Sequence, residues 1–210
     1  QGYIQLIKKG EYEKAVRLIM EKIPLPGVLG RVCPHPCEIE CRRKLVDEPL
    51  AIRDLKRFAA DQLDFSVLEI PEIEDLDKKV AVIGSGPAGL TVAYDLRMKG
   101  YRISVFEAAE KPGGMLRYGI PDYRLPPAVL DTEIGYIRRM GVDIQTEKSL
   151  GGDFTLKNLK EDGFESIFIG IGAQGAMPLG IPKEDIDEVT DAIGFLHAVN
   201  QGEAVLPGKQ

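Results

Sequence analysis

The sequence predicts an α/β fold, and three features of residues 80–107 carry this prediction. Residues 80–83 form an apolar run with the length of a buried strand, and a second apolar strand ends at Glu107. Between them lies a turn that opens a helix-like segment and consists of Gly84, Ser85, Gly86, Pro87, Ala88 and Gly89. A strand, a glycine turn, a helix and an acidic residue closing the next strand are typical of a Rossmann-like βαβ unit.

The order of these residues also predicts a dinucleotide site. Gly84 permits the tight turn, Gly86 lets the backbone approach a pyrophosphate, and Gly89 lets the helix pack closely on the sheet. The phosphates would lie at the helix N-terminus, where backbone N–H groups are free. Glu107 follows Gly86 by 21 residues, and a carboxylate there can accept hydrogen bonds from ribose hydroxyls. The alternative is a purely structural glycine turn.

A second glycine pair bears on which dinucleotide binds. Gly113 and Gly114 come shortly after Glu107 and precede Met115. Backbone without side chains at this place can approach a larger ligand farther along its phosphates, which favours FAD over NAD. The alternative is that Pro112, Gly113 and Gly114 form only a turn.

Composition and charge argue against several classes of partner. The 210 residues carry a net charge of −6, which gives no reason to expect nucleic acid or an anionic membrane as a partner. No apolar run reaches the roughly 18 residues of a membrane span, and the N-terminus lacks the apolar core of a signal peptide. All three cysteines fall within nine residues, which favours ligands in a reducing, cytoplasmic compartment over a disulfide framework.

Two domains are predicted from the apolar periodicity and from the Gly and Pro breakers. Residues 1–66 form a small helical domain, residues 67–78 an acidic linker, and residues 79–210 the Rossmann-like domain. The predicted elements are helices over 2–22, with a break near Gly10, and over 50–64, then strand 80–84, helix 87–99, strand 102–107, helix 127–140, strands 142–146 and 166–170, a helix from Thr190 or Asp191 to about Asn200, and a turn at 207–210.

The cysteines follow the spacing C-x3-C-x3-C, at Cys33, Cys37 and Cys41. Three nearby thiolates suit a soft metal, either zinc or an iron–sulfur cluster. Zinc would take the three cysteines and His35, although structural zinc sites usually pair their ligands at two separate places. Free buried thiols are the other alternative. The chain has no fourth cysteine to complete a four-cysteine cluster, so the residues alone leave these alternatives open.

Four segments together resemble one protein family. They are residues 25–38 around the first cysteines, 49–58, the glycine turn 84–89, and 113–126 with its run Gly-Met-Leu-Arg-Tyr-Gly-Ile-Pro. The family is that of the glutamate synthase small subunit and the N-terminal half of dihydropyrimidine dehydrogenase. The resemblance covers nearly the whole chain, and the 113–126 run is its most specific part.

This resemblance implies a helical domain with two [4Fe-4S] clusters, followed by FAD and NADPH domains. NADPH would give a hydride to the flavin, and electrons would leave singly through the clusters. They would reach a partner subunit or domain, for example a glutamate synthase large subunit or a ferredoxin-like protein. Cys33 and Cys37 would ligate one cluster and Cys41 the other, with the remaining ligands in a segment upstream. Some relatives have cysteine at Leu29, and the dehydrogenase uses a glutamine near Lys56.

The resemblance also implies roles for residues of the FAD site. Residues 84–89 would hold the pyrophosphate, Glu107 the adenosine ribose, and Gly113, Gly114 and Met115 would follow the phosphates towards the ribityl chain. Further candidates are Arg124 near the phosphates or flavin, Leu150 at the adenine, and Gly170, Gly172 and Ala173 in a second glycine motif. Arg124 has the alternative of a solvated charge, and Leu150 that of a packing residue.

By the same resemblance, the FAD domain is incomplete within this sequence, and an NADPH domain would follow residue 210. The predicted function is an FAD-dependent NAD(P)H oxidoreductase subunit. The first alternative is a non-catalytic assembly module that retains the fold and a bound nucleotide, and the second is a simple NAD-binding dehydrogenase. No Ser–His–acid set or carboxylate pair favours hydrolysis, and we assign no catalytic residue.

Overall fold

The computed structural model describes residues 2–184, 186 and 189–203, so the turn predicted at 207–210 lies outside the described residues. Residues 2–61 are helical, in α1 (Gly2–Lys8), α2 (Tyr12–Met20), α3 (Pro26–Val32), α4 (Pro36–Ile39), a 3-10 turn (Arg42–Leu45) and α5 (Ile52–Asp61). The break predicted near Gly10 separates α1 from α2. Helix α3 was not predicted, since Pro26 and Gly27 usually interrupt helices; Pro26 occupies its first turn, where a missing N–H is tolerated.

From residue 79 onward, the four predicted strands and the three predicted helices are present. The elements are β1 (Lys79–Ile83), α6 (Pro87–Met98), β2 (Arg102–Phe106), α7 (Met115–Tyr118), α8 (Pro127–Arg139), β3 (Asp143–Gln145), α9 (Leu156–Glu161), β4 (Phe164–Ile169) and α10 (Ala192–Asn200). The short helices α7 and α9 were missed because four and six residues show no helical periodicity. Among the helices of the described ranges, none is long and apolar enough to cross a membrane.

The four strands form one parallel sheet in the order β3-β2-β1-β4. Side chains of β1 alternate between two cores: Val80 and Val82 pack with α6 and α8, whereas Ala81 and Ile83 pack with Leu159 of α9. Strand β1 is therefore buried on both faces, as its unbroken apolar sequence predicts. Strand β2, the next in the chain, pairs with one edge of β1, and β4 pairs with the other edge. The order of the strands therefore reverses between β1 and β4, so their carboxyl ends form a topological switch point.

The helical part (residues 2–61) and the sheet part (residues 79–200) share one apolar core. Val16 and Val28 of the helical part belong to the same cluster as Leu130 and Ile137 of α8. The predicted linker takes part in this packing, because Leu68 is buried and contributes to that cluster. The domain boundaries themselves stay a prediction.

Candidate nucleotide-binding site

A cavity of about 590 Å³ opens at the carboxyl edge of the sheet. Its volume falls within the roughly 300–1,000 Å³ that is usual for ligand sites. Ten residues predicted for the cofactor line it: Gly84, Gly86, Pro87, Ala88, Glu107, Gly114, Met115, Leu150, Gly170 and Gly172. The cavity lies at the switch point, where ligands bind in open α/β sheets.

The glycine turn holds β1, α6 and β4 at very short distances. Gly84 has φ +97°, and a Cβ there would lie 2.4 Å from the carbonyl oxygen of Gly170. A Cβ on Gly89 would lie 1.9 Å from the carbonyl oxygen of Gly84. A Cβ on Gly86, in contrast, would meet only the Cα of Gly114, at 4.0 Å. Gly84 and Gly89 are thus required by the fold, whereas Gly86 leaves open space in the cavity wall.

Ser85 lies beneath the cavity and connects three loops. Its side chain is fully buried. The hydroxyl donates to Oε2 of Glu107 and accepts the backbone N–H of Gly113 at 3.1 Å. The sequence predicted Ser85 among the cofactor contacts; the structure places it outside the cavity lining, where it supports residues that do line the cavity.

Glu107 is held by several hydrogen bonds at the end of β2. Its Oε2 accepts the N–H and the hydroxyl of Ser85, and its Oε1 accepts the N–H of Ala109 at 2.9 Å. An ionised carboxylate offers about four acceptor positions, so Oε1 retains capacity for one further donor. The residue also lines the cavity. Glu107 is therefore fixed in orientation and can still accept a ligand hydroxyl.

Gly114, of the second glycine pair, lies directly against Gly86 of the glycine turn in the wall of the cavity. Gly114 has φ +54°, and a Cβ there would lie 2.8 Å from the Cα of Gly86. The two loops therefore touch backbone to backbone, with Met115 starting α7 immediately afterwards. This arrangement leaves two glycine backbones exposed to one elongated ligand.

Five predicted residues are absent from the cavity lining, namely Ser85, Gly89, Gly113, Arg124 and Ala173. Gly89 and Gly113 are buried, whereas Arg124 and Ala173 are exposed. The backbone N–H of Arg124 donates to the carbonyl oxygen of Pro121 at 2.9 Å, which keeps its loop turned at residues 121–125. Any contact of Arg124 or Ala173 with a cofactor stays a prediction.

Ten lining residues were not among the predictions, and they include Lys148, Ser149, Tyr118 and His197. Lys148 and Ser149 follow the carboxyl end of β3, and parallel strands bring such ends to one edge; this signal could have found them. The Tyr118 and His197 rings stack at 4.8 Å between centroids. Sequence reasoning could not pair them, because α7 and α10 are far apart in the chain.

The cysteine segment, residues 33–41, follows α3. Cys33 comes directly after this helix, Cys37 lies in α4, and Cys41 precedes the 3-10 turn. All three are free thiols and none is buried, so packing does not explain them. Within the described ranges, no group of three or more His, Cys, Asp or Glu side chains is placed to hold a metal ion. Thiols suit iron–sulfur chemistry, but three of them would not complete the four ligands of one cluster. Ligation by Cys33, Cys37 and Cys41 stays a prediction.

Comparison with known proteins matches both halves of the chain. Residues 1–66 match the family model of dihydropyrimidine dehydrogenase domain II, 4Fe-4S cluster, and residues 82–142 match an NAD(P)-binding Rossmann-like domain. The NADP(+)-dependent formate dehydrogenase subunit beta of Moorella thermoacetica is 42% identical over 88% of this chain and 29% of its own length. The glutamate synthase [NADPH] small chain of Bacillus subtilis is 34% identical over 91% of this chain and 39% of its own length.

The chain belongs to the glutamate synthase small-subunit and dihydropyrimidine dehydrogenase family. It spans about a third of the length of these relatives. Among solved structures, FprA of Mycobacterium tuberculosis in complex with NADPH has a TM-score of 0.51 and 21% identity, over 59% of this chain and 29% of that one. This likeness supports the fold of the family: a parallel α/β sheet preceded, in this chain, by the helical iron–sulfur-type domain.

Proposed function

We propose that the chain is the FAD-anchoring front part of an NAD(P)H-dependent oxidoreductase subunit. The observation that carries the proposal is the convergence of Gly86, Gly114 and Glu107 on one cavity at the switch point of the sheet. Two facing glycine backbones and a fixed carboxylate match the needs of a dinucleotide with a pyrophosphate and a ribose. Family membership and the NADP and NADPH in the names of the relatives support the same proposal.

Each group of residues has a separate task in this proposal. Gly86 and Gly114 let the pyrophosphate approach the backbone near the start of α6, whose N-terminus has no side-chain cap. The free acceptor position of Glu107 takes a ribose hydroxyl, and Leu150 contacts the adenine. Ser85 keeps the carboxylate and the Gly113 loop in place. When bound, flavin accepts two electrons as hydride and releases them singly.

The helical part is proposed to carry electrons onward. Cys33 and Cys37 would contribute to one [4Fe-4S] cluster and Cys41 to the other, with further ligands from sequence beyond these 210 residues. The match of residues 1–66 to a 4Fe-4S domain supports this assignment. NADPH would bind in a separate domain, and the acceptor would be a partner subunit or domain. A cytoplasmic location is part of the same proposal.

An anaerobic titration of the full-length protein with NADPH tests this function. We expect the flavin absorption to bleach after about one to two NADPH per flavin, because each hydride carries two electrons and the two clusters can take one electron each from the flavin. Adding an artificial one-electron acceptor should restore the band. A protein that binds flavin without bleaching would favour the assembly-module alternative, and a colourless protein that binds NADH would favour a simple NAD-binding domain.

A further inference from the structure

Glu133 is a deeply buried acidic residue that the proposed function does not use. It lies on α8 and is 2% exposed. Its Oε1 accepts the backbone N–H of Gly27 at 2.6 Å, and its Oε2 accepts that of Val28 at 3.0 Å. Both donors belong to α3 in the helical part, more than a hundred residues earlier in the chain. One side chain therefore joins the sheet part to the helix that precedes Cys33.

Helix α3 has no cap of its own at this end. Its N-cap residue is Leu25, which provides no side-chain acceptor, and Pro26 has no N–H. The N–H groups of Gly27 and Val28 are the donors that a helix leaves unpaired in its first turn. Buried donors require a partner, and the Glu133 carboxyl group supplies one for each. A Cβ on Gly27 would lie 3.0 Å from Oε1, so glycine gives the carboxyl group its room.

Two charged residues influence Glu133 from the elements packed around it. Arg31 of α3 favours its ionised form, and Asp61 of α5 disfavours it. Arg31 also donates to the carbonyl oxygen of Gly27 at 3.0 Å and to the Asp61 carboxylate at 2.8 Å. Burial is the largest influence and raises the pKa of Glu133 to about 7. The Glu133 carboxyl group therefore changes its protonation state near neutral pH.

The contact lies on a short path between the cavity and the cysteines. Helix α6 begins at the cavity, and its Leu90 shares one core with Leu130 of α8. Helix α8 holds α3 through Glu133, and α3 ends directly before Cys33. Helix α3 is closely packed on α5, since a Cβ on Gly30 would lie 2.7 Å from that of Arg57. Helices α3 and α5 therefore pack as one unit, and the Glu133 contact joins this unit to α8.

We propose that Glu133 is a positioning residue, which fixes α3 and the cysteine segment behind it at a defined place relative to the nucleotide cavity. The contact stands on the geometry alone; its consequence for electron transfer rests on the proposed function. Cofactors on two domains can exchange electrons at a constant rate only if the domains keep a fixed arrangement. A buried group with several hydrogen bonds fixes such an arrangement more specifically than apolar packing does.

Amide hydrogen exchange of the full-length protein tests the proposal, with Glu133→Leu as the main variant. Leucine keeps the volume and removes both acceptors, so we expect the protection of residues 26–32 to fall about tenfold or more. Protection of β1 and β2 should stay unchanged. Arg138→Lys, on the exposed side of the same helix, is the control and should leave α3 unaffected. Unchanged protection of α3, or an equal loss in every element, would overturn the proposal.

A pH series separates this role from ordinary packing. Opening of α3 would return Glu133 to water, where its pKa is lower, so the protection of residues 26–32 should decrease as pH rises through about 7. In Glu133→Gln this pH dependence should disappear; its persistence would contradict the proposal. If Glu133→Leu does not fold, Gly27→Ala weakens the same contact from the other side and must lower α3 protection. Flavin content, measured in parallel, reports on the proposed function independently.

Discussion

The hydroxyl of Ser85 donates a hydrogen bond to the carboxylate of Glu107, which lies 22 residues further along the chain. This bond joins the carboxyl end of β1 to that of β2. Because the same hydroxyl accepts the N–H of Gly113, it also holds the second glycine loop. The shape of the cavity wall therefore depends on a buried side chain that does not face the cavity.

Replacing Ser85 with alanine should destabilise the loops that form the cavity wall and lower the affinity for FAD. The change leaves the buried Gly113 N–H without its acceptor and removes one of the two hydrogen bonds to Oε2 of Glu107, which costs about 1–3 kcal/mol for buried polar groups. We expect a comparable loss of unfolding free energy and about tenfold weaker FAD binding, measured by urea unfolding and by flavin fluorescence titration. Ser66→Ala removes an exposed hydroxyl bonded to Asp64 and is the control. Equal FAD affinity in both variants would refute the role assigned to Ser85.

The two glycines of the turn should respond differently to alanine. Gly86→Ala adds a methyl group that meets no protein atom closer than 4.0 Å, so the protein should fold normally. That methyl group would occupy space needed by the pyrophosphate, and FAD binding should fall by at least about a hundredfold, equivalent to about 3 kcal/mol. Gly89→Ala places a methyl group 1.9 Å from the Gly84 carbonyl oxygen and should destabilise the fold. Thermal unfolding and flavin binding together test this contrast; normal FAD binding by Gly86→Ala would contradict it.

The iron content of Cys→Ser variants should divide the three cysteines into two groups. With Cys33 and Cys37 on one cluster and Cys41 on the other, each Cys→Ser variant of the full-length protein should lose about half of the iron, since each cluster needs its own four ligands. Combining Cys33→Ser with Cys37→Ser should cause no further loss. Iron and sulfide analysis after anaerobic purification measures this. A full iron content in all variants would exclude these cysteines as ligands.

Glu133 should make stability depend on pH. Its pKa is about 7 in the folded protein, above the ordinary value of 4.5. The folded state therefore binds the proton more tightly, and the stability that Glu133 contributes is fully present below pH 4.5 and lost as pH rises through about 7. At about 1.4 kcal/mol per pKa unit, the loss reaches about 3 kcal/mol. Urea unfolding at pH 5 and pH 8 should show this loss relative to Glu133→Gln; parallel pH dependences of the two proteins would rule it out.

Much of the fold was predictable because its signals are local. The apolar run of β1, the turn at residues 84–89 and Glu107 are close in sequence, and each has one steric or hydrogen-bonding reason for its place. The structure brings ten of the predicted residues to one cavity. Gly113 and Gly114 were also found from a local signal, their position shortly after Glu107. A Cβ on Gly114 would lie 2.8 Å from the Cα of Gly86, and one on Gly113 would lie 2.8 Å from the side chain of Leu130.

The remainder depended on contacts between distant segments. The first turn of α3 pairs with Glu133, about a hundred residues away, so no local pattern predicted a helix beginning at Pro26. Tyr118 meets His197 only after α10 packs beside α7. The supporting position of Ser85 was missed because a serine in a glycine turn is usually taken as a ligand contact.

The central claim is that the cavity at the ends of β1 and β4 holds FAD. The absorption spectrum of the purified full-length protein tests it most directly, with the released cofactor identified by mass. We expect a flavin band near ~450 nm, FAD in the supernatant after denaturation, and neither in the Gly86→Ala variant. A colourless protein that does not bind added FAD but does bind NADH would contradict the claim.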